Sequence, residues 1–195
     1  MKEKDIRQLL KSCRVGVAGC GGLGSNAAVA LARIGIGGLE LVDFDKVEAS
    51  NLNRQYFFKK QLGLPKVEAL AQNIHSIDPD VKLNCHQTKL DKDNISAIFS
   101  SCDLIIEAFD RAEAKAMLLE FMLENMPQIP LIMGNGMAGF GGFDKLRQVQ
   151  WDKHVYICGD FEAEIAEDLP PLAPRVGIVA NMQANLALEL LIKKG

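Results

Sequence analysis

The chain reads as an α/β protein: a Rossmann-like, doubly wound, mostly parallel sheet with helices on both faces. Three observations predict this. Apolar strand-like runs alternate with segments of helical period. The first run, Val15 to Ala18, is followed at once by Gly19, Gly21 and Gly24 in the spacing G-x-G-x-x-G, and Leu23 onward reads as a helix. A second strand, Leu39 to Phe44, then carries Asp43 near its end, about twenty residues past the glycines.

The remaining elements follow in order. Lys66 to Ile77 has Val67, Leu70, Ala71 and Ile74 at helical spacing and is closed by Asp78-Pro79. Val81 to Lys89 alternates as a strand, Ile95 to Phe99 is a short helix candidate, and Asp103 precedes a buried strand, Leu104 to Ala108. Ala112 to Asn125 reads as a helix and Leu131 to Gly134 as a strand. Gly134, Gly136, Gly139, Gly141 and Gly142 mark an irregular, flexible stretch. From residue 155 to about 175 we expect a mobile crossover segment. Its acidic run, Asp160, Glu162, Glu164, Glu167 and Asp168, should be solvated as far as Pro170-Pro171. Val176 to Ile192 reads as a long helix with Val179, Met182, Leu186 and Leu190 on one packing face. No repeat or linker divides residues 1–195, so a single domain is expected.

Composition fits this reading. The 195 residues suffice for one substantial core, and 48% hydrophobic with 24% charged residues argues against disorder. A net charge of −3 disfavours general nucleic-acid binding. No apolar stretch is expected to reach membrane-spanning length, and the segment MKEKDIRQLLKS is charged where a signal peptide has an apolar core, so the cytoplasm is the expected location. Cys13, Cys20, Cys85, Cys102 and Cys158 form no C-x-x-C pair, which suits reduced thiols and gives no zinc signature. His75, His86 and His154 are isolated and read as surface or packing residues.

The glycine turn aims backbone N–H groups and a helix N-terminus at an anion, and Asp43 is placed to take ribose hydroxyls. Both features suit NAD as well as ATP. Arg54 and Lys66 separate the two readings. A triphosphate expelling pyrophosphate needs fixed cations, whereas hydride transfer gives such a pair nothing to do. Asn51, Asn53, Arg54 and Gln55 cluster polar donors directly after a buried strand, and Lys66 follows Gly63 and Pro65 at the start of a helix. Asp110, in IIEAFDR, lies just past a strand end, where ligands of open α/β sheets collect. It suits a phosphate-bridging Mg²⁺ or, equally by position, a helix N-cap.

The stretches GCGGLGS, LVDFDKVEASNLNRQ and LGLPKVEA, in that order, resemble the ThiF/MoeB group. These are ubiquitin-activating-type adenylyltransferases that activate the C-terminal glycine of sulfur-carrier proteins. The resemblance is strongest over residues 14–137. It implies ATP and Mg²⁺ as cofactors, with Gly19, Gly21, Gly22, Gly24, Asp43, Asp45, Arg54 and Lys66 holding the nucleotide and Asp110 the metal. Arg54, Lys66 and Asp110 would carry the chemistry, with Asn51 and Gln55 orienting groups. The implied partner is a β-grasp, ubiquitin-like carrier ending in Gly-Gly, in a homodimer. An arginine near the amino terminus of such proteins reaches the neighbouring subunit's phosphates, which makes Arg7 a candidate. Cys158 is a candidate nucleophile for sulfur transfer or a covalent carrier adduct, although neighbouring carboxylates would blunt a thiolate. Many members bind zinc through two C-x-x-C pairs; this chain has neither, so no zinc is expected.

The short chain and the ending LAPRVGIVANMQANL look most like the compact branch linked to thiamine biosynthesis, whose carrier is ThiS. Activation of the molybdopterin-synthase carrier, as in MoeB, is the nearest alternative. An NAD-dependent oxidoreductase, a non-catalytic nucleotide-binding partner and adenylation of a small-molecule or RNA carboxylate are the other readings.

Overall fold

The computed structural model describes residues 1–162 and 168–194. Its centre is a seven-stranded sheet in the order β3-β2-β1-β4-β5-β7-β6. The strands are β1 (Arg14–Ala18), β2 (Gly38–Val42), β3 (Lys82–His86), β4 (Leu104–Glu107), β5 (Leu131–Asn135), β6 (Arg147–Asp152) and β7 (Val155–Gly159). All neighbours pair in parallel except β6 with β7. β2 and β4 flank β1 on opposite sides, so the winding reverses at β1, the switch point where open α/β sheets bind ligands.

The helices are α1 (Glu3–Leu10), α2 (Gly22–Arg33), α3 (Lys66–His75), α4 (Ile95–Phe99), α5 (Ala112–Asn125) and α6 (Ala173–Lys194). Side chains alternate across each strand, so each central strand feeds two cores. Val15, Val17, Leu39 and Leu41 pack with Ala27, Leu31, Leu70, Val179 and Leu186 from α2, α3 and α6. Ala18, Val42, Ile105 and Leu131 pack with Phe99, Leu118 and Met122 from α4 and α5. Glu40 is a polar exception in buried β2. Its carboxylate is satisfied by Arg14 (2.5 Å), Asn84 (2.7 Å) and His86 (2.9 Å) on the two adjoining strands.

The second half departs from expectation. Residues 147–159 form an antiparallel hairpin that the sequence reading left out. β6 (RQVQWD) is an exposed edge strand and so lacks a buried apolar pattern, while β7 (VYICG) sits where the mobile crossover was placed to begin. The glycine-rich stretch before it is irregular as expected, with positive φ at Gly136, Gly139, Gly141 and Gly142.

Asp160, expected in solvent, is buried and ion-paired with Arg175, which also donates to the Gly141 carbonyl. Glu164 and Glu167 lie outside the described residues. α6 starts at Ala173, with Pro174 in its first turn. Its buried stripe runs through Val176, Val179, Ala180, Gln183, Ala187 and Leu191, leaving Met182 and Leu190 only half-buried. The expectation that no apolar stretch reaches membrane-spanning length is corrected here: by length and composition α6 would suffice to cross a membrane. In the fold it lies along α2 and the sheet, and no membrane is implied.

Asp160→Ala leaves the Arg175 guanidinium without its buried counter-charge, and urea denaturation is expected to show a loss of about 3–5 kcal/mol. Wild-type stability would mean that the pair contributes little to the fold.

Candidate functional site

β1 delivers the chain into a turn with little spare space. Gly19 has φ 98°, and a Cβ there would meet the Ala108 carbonyl oxygen at 2.9 Å. A Cβ on Gly24 would lie 1.8 Å from the Gly19 oxygen, and one on Gly22 would lie 3.0 Å from Val176 of α6. Glycine at these positions answers the packing of the turn itself. Gly21 differs, because its nearest neighbour would be Gln55 Nε2 at 3.7 Å. Its backbone is open to close approach. Gly21 is also the N-cap of α2 and supplies no side-chain cap, so the first N–H groups of the helix have no partner within it.

Asp43 closes the turn from the β2 side. Its two carboxylate oxygens accept from the backbone N–H of Cys20 (2.7 Å) and of Asp45 (2.8 Å), leaving lone pairs for further donors. Burial pushes its pKa above the ordinary aspartate value, opposed by the Lys66 charge and by these two N–H groups. Lys66, the first residue of α3, is only 6% exposed and donates to Asp45 at 2.8 Å, while its own N–H bonds the Asp45 carbonyl. Asp43, Asp45 and Lys66 are thus one electrostatic group beside the glycine turn.

Residues 49–56 form the opposite wall. Asn51 ends a 3-10 turn, Ala49–Asn51, and its carbonyl takes the N–H groups of Arg54 and Gln55. Arg54 lays its side chain along the glycine turn, with Cγ and Cδ 3.7 and 3.8 Å from where a Gly22 Cβ would stand. Its guanidinium donates to Ser50 O and Asn53 Oδ1. Gln55 is buried with its Oε1 lacking any partner, an orphan next to Gly21.

Two residues that sequence reasoning missed lace this wall to α2. Ser25 Oγ donates to Gly21 O and accepts from Tyr56 N, and Asn26 Nδ2 donates to Gly22 O and Arg54 O. The available signal is two polar residues at the fourth and fifth positions of an otherwise apolar helix.

Asp110 is exposed just beyond β4 and does not cap α5, whose N-cap, Arg111, lacks a side-chain cap bond. The turn that carries it abuts the glycine turn through the Ala108 carbonyl. Arg7 stands elsewhere. It donates to the Arg33 carbonyl at the C-terminal end of α2, about 18 Å along the helix from the glycines, and pairs with Glu3. Within its own chain it does not join the site.

Cys158, the candidate nucleophile, lies inside β7 and not on an open crossover segment. It is 0% exposed, and burial pushes its thiol up to about 12, which opposes thiolate formation in this packing. Among the described residues no three His, Cys, Asp or Glu side chains cluster to hold a metal.

The whole chain, residues 1–195, matches the model of the ThiF family. The chain belongs to that family. Its relatives span several named activities. A molybdopterin-synthase adenylyltransferase of Haemophilus influenzae is 29% identical over 98% of this chain and 79% of its own length. A SAMP-activating enzyme E1 of Haloferax volcanii is 32% identical, covering 95% and 70%. A tRNA threonylcarbamoyladenosine dehydratase of Escherichia coli is 36% identical over 93% of this chain and 66% of the relative. A crystal structure of the E. coli dehydratase in complex with ATP superposes with TM-score 0.89 at 25% identity, covering 98% of this chain and 90% of that one. This ThiF-family chain thus shares its mostly parallel, helix-covered sheet with a solved nucleotide complex.

Two outcomes follow. Gly24→Ala should cost about 1–3 kcal/mol by thermal unfolding, since its Cβ forces the turn apart; an unchanged melting temperature would mean that the turn adapts freely. In the native protein at pH 8, a thiol reagent followed by peptide mass mapping should label exposed Cys85 and spare Cys158 until the chain is unfolded. Rapid native labelling of Cys158 would contradict its burial.

Proposed function

We propose that this chain adenylates the C-terminal glycine carboxylate of a ubiquitin-like, β-grasp sulfur-carrier protein ending in Gly-Gly, with the thiamine-biosynthesis carrier ThiS as first candidate. One observation carries the reading: the Arg54 side chain lies along an anion-seeking glycine turn, and the Lys66 charge acts on Asp43, which holds the Cys20 N–H of the same turn. An NAD-dependent oxidoreductase has no use for two such cations. Related proteins named adenylyltransferases, and a solved relative holding ATP, support the same direction.

ATP would lie with its phosphates over Gly21 to Gly24 and its ribose on Asp43, with Asp45 keeping Lys66 in place. The carrier's terminal carboxylate, with a pKa of about 3.5, is ionised at neutral pH and needs no general base. Its oxygen attacks the α-phosphorus, the bond from that phosphorus to the bridging oxygen breaks, and acyl-adenylate and pyrophosphate result. Arg54 and Lys66 stabilise the charge that develops, while Asn51 and Gln55 orient the reacting groups. A nucleotide-borne Mg²⁺ takes one or two protein carboxylates, so a single exposed Asp110 beside the turn fits it; when bound, the ion neutralises phosphate charge. Arg7 fits a homodimer in which it reaches the other subunit's nucleotide. A cytoplasmic location is in keeping with five free cysteines.

The molybdopterin-synthase carrier is the nearest alternative substrate, since it asks for the same chemistry and a different docking surface. A second reading, activation of a carboxylate on a tRNA nucleoside, is favoured by the 36% identity to the tRNA dehydratase. The net charge of −3 weighs against it, because RNA affinity is built on phosphate neutralisation.

ATP–pyrophosphate exchange tests these together. Exchange should appear with a Gly-Gly-ended carrier and fall at least about a hundredfold in Arg54→Ala or Lys66→Ala. Exchange with threonylcarbamoyladenosine-bearing tRNA alone would transfer the assignment to the second reading, and near-normal rates in both variants would remove the cations from the mechanism.

A further inference from the structure

Glu107 ends β4 with 0% exposure, and no other charged side chain among the described residues is as deeply enclosed. Its carboxylate receives the Lys115 ammonium on both oxygens (2.9 and 2.8 Å) and the Phe109 N–H at 2.6 Å. Lys115, on the second turn of α5, spends its third donor on the Gly134 carbonyl of β5 at 2.8 Å. All three ammonium protons and both carboxylate oxygens are therefore used. Such a pair gives little net stability over an apolar replacement, so its value lies in the geometry it imposes.

That geometry acts on one turn. The Phe109 N–H bond folds the chain back on Glu107 immediately before Asp110, and the Ala108 N–H holds the Ala18 carbonyl at 2.9 Å. The Glu107 carbonyl is fixed in turn by Gln183 of α6 at 3.0 Å. The turn is seated so closely that a Cβ on Gly19 would meet the Ala108 oxygen at 2.9 Å. Glu107 and Lys115 thereby tie β4, β5 and α5 into a frame that carries the exposed Asp110 on the turn beside the glycines.

We propose that the Glu107–Lys115 pair is a positioning device that sets the place of the Asp110 carboxylate relative to the nucleotide's phosphates, and with it the grip on the magnesium-loaded nucleotide. This rests on the reading of Asp110 as the metal-holding carboxylate. Neither Glu107 nor Lys115 touches the ligand. Their effect is confined to binding that uses the metal, whereas a merely structural role would weaken ATP binding with or without it.

Calorimetric titration of the full chain with ATP, in excess Mg²⁺ and in EDTA, separates these roles. Wild-type protein should bind ATP more tightly with Mg²⁺, and Asp110→Asn should abolish that advantage. Lys115→Met should reduce the advantage about tenfold and leave binding in EDTA within about twofold, the range expected for displacement of one electrostatic partner. Lys115→Arg, which keeps the charge and the donors, should recover most of it. Should Lys115→Met unfold, Glu107→Gln, which keeps an acceptor for the Phe109 N–H, takes its place with the same expectation. An unchanged Mg²⁺ advantage in Lys115→Met or Glu107→Gln, with Asp110→Asn impaired, overturns the positioning role alone. Equal losses with and without Mg²⁺ overturn it as well. An unchanged advantage in Asp110→Asn overturns both this inference and the reading of Asp110 beneath it.

Discussion

The constraint on which the site depends is the closeness of the Gly19–Gly24 turn to its neighbours. The Gly24 backbone leaves no room for even one methyl group against the Gly19 carbonyl, and Gly19 is pressed against Ala108 in the same way. This packing holds the start of α2 at the switch point of the sheet with unpartnered N–H groups at its tip. A helix end of this kind favours a nearby negative charge. The other groups of the site are disposed around that fixed tip.

The two cations are held in different ways. Lys66 is nearly enclosed and neutralised by Asp45, so its position is set before a ligand arrives. Arg54 lies across the glycine turn with its head on carbonyl and amide oxygens, contacts that a stronger phosphate acceptor can replace. On the proposed reading, a prepared ammonium and an exchangeable guanidinium would reduce the ordering cost of nucleotide binding while leaving the crevice accessible. Ser25 and Asn26 add to this order by joining the wall that carries Arg54 to the helix that carries the turn.

Local patterns were legible in the sequence and long-range pairings were not. β1 and β2 come within one or two residues of expectation, and α5 spans Ala112–Asn125 as read, because these segments show their period within a few residues. The nucleotide motifs were visible for the same reason: the glycine turn, Asp43, Arg54 and Lys66 fall within some fifty residues. Glu107–Lys115 and Asp160–Arg175 could not be read, since a charge in a strand end or a helix looks solvated until its partner is known. β6 is hidden because an exposed edge strand carries no buried face, and the burial of Cys158 is hidden with it, since β7 depends on pairing with β5 and β6.

A crystal structure of the full chain with a non-hydrolysable ATP analogue tests the central claim most directly. The account predicts phosphates over Gly21 to Gly24, ribose hydroxyls on Asp43, and the Arg54 guanidinium and Lys66 ammonium both within hydrogen-bonding distance of phosphate oxygens. A nucleotide bound at the turn with both cations directed to solvent, or bound elsewhere on the sheet, would contradict it.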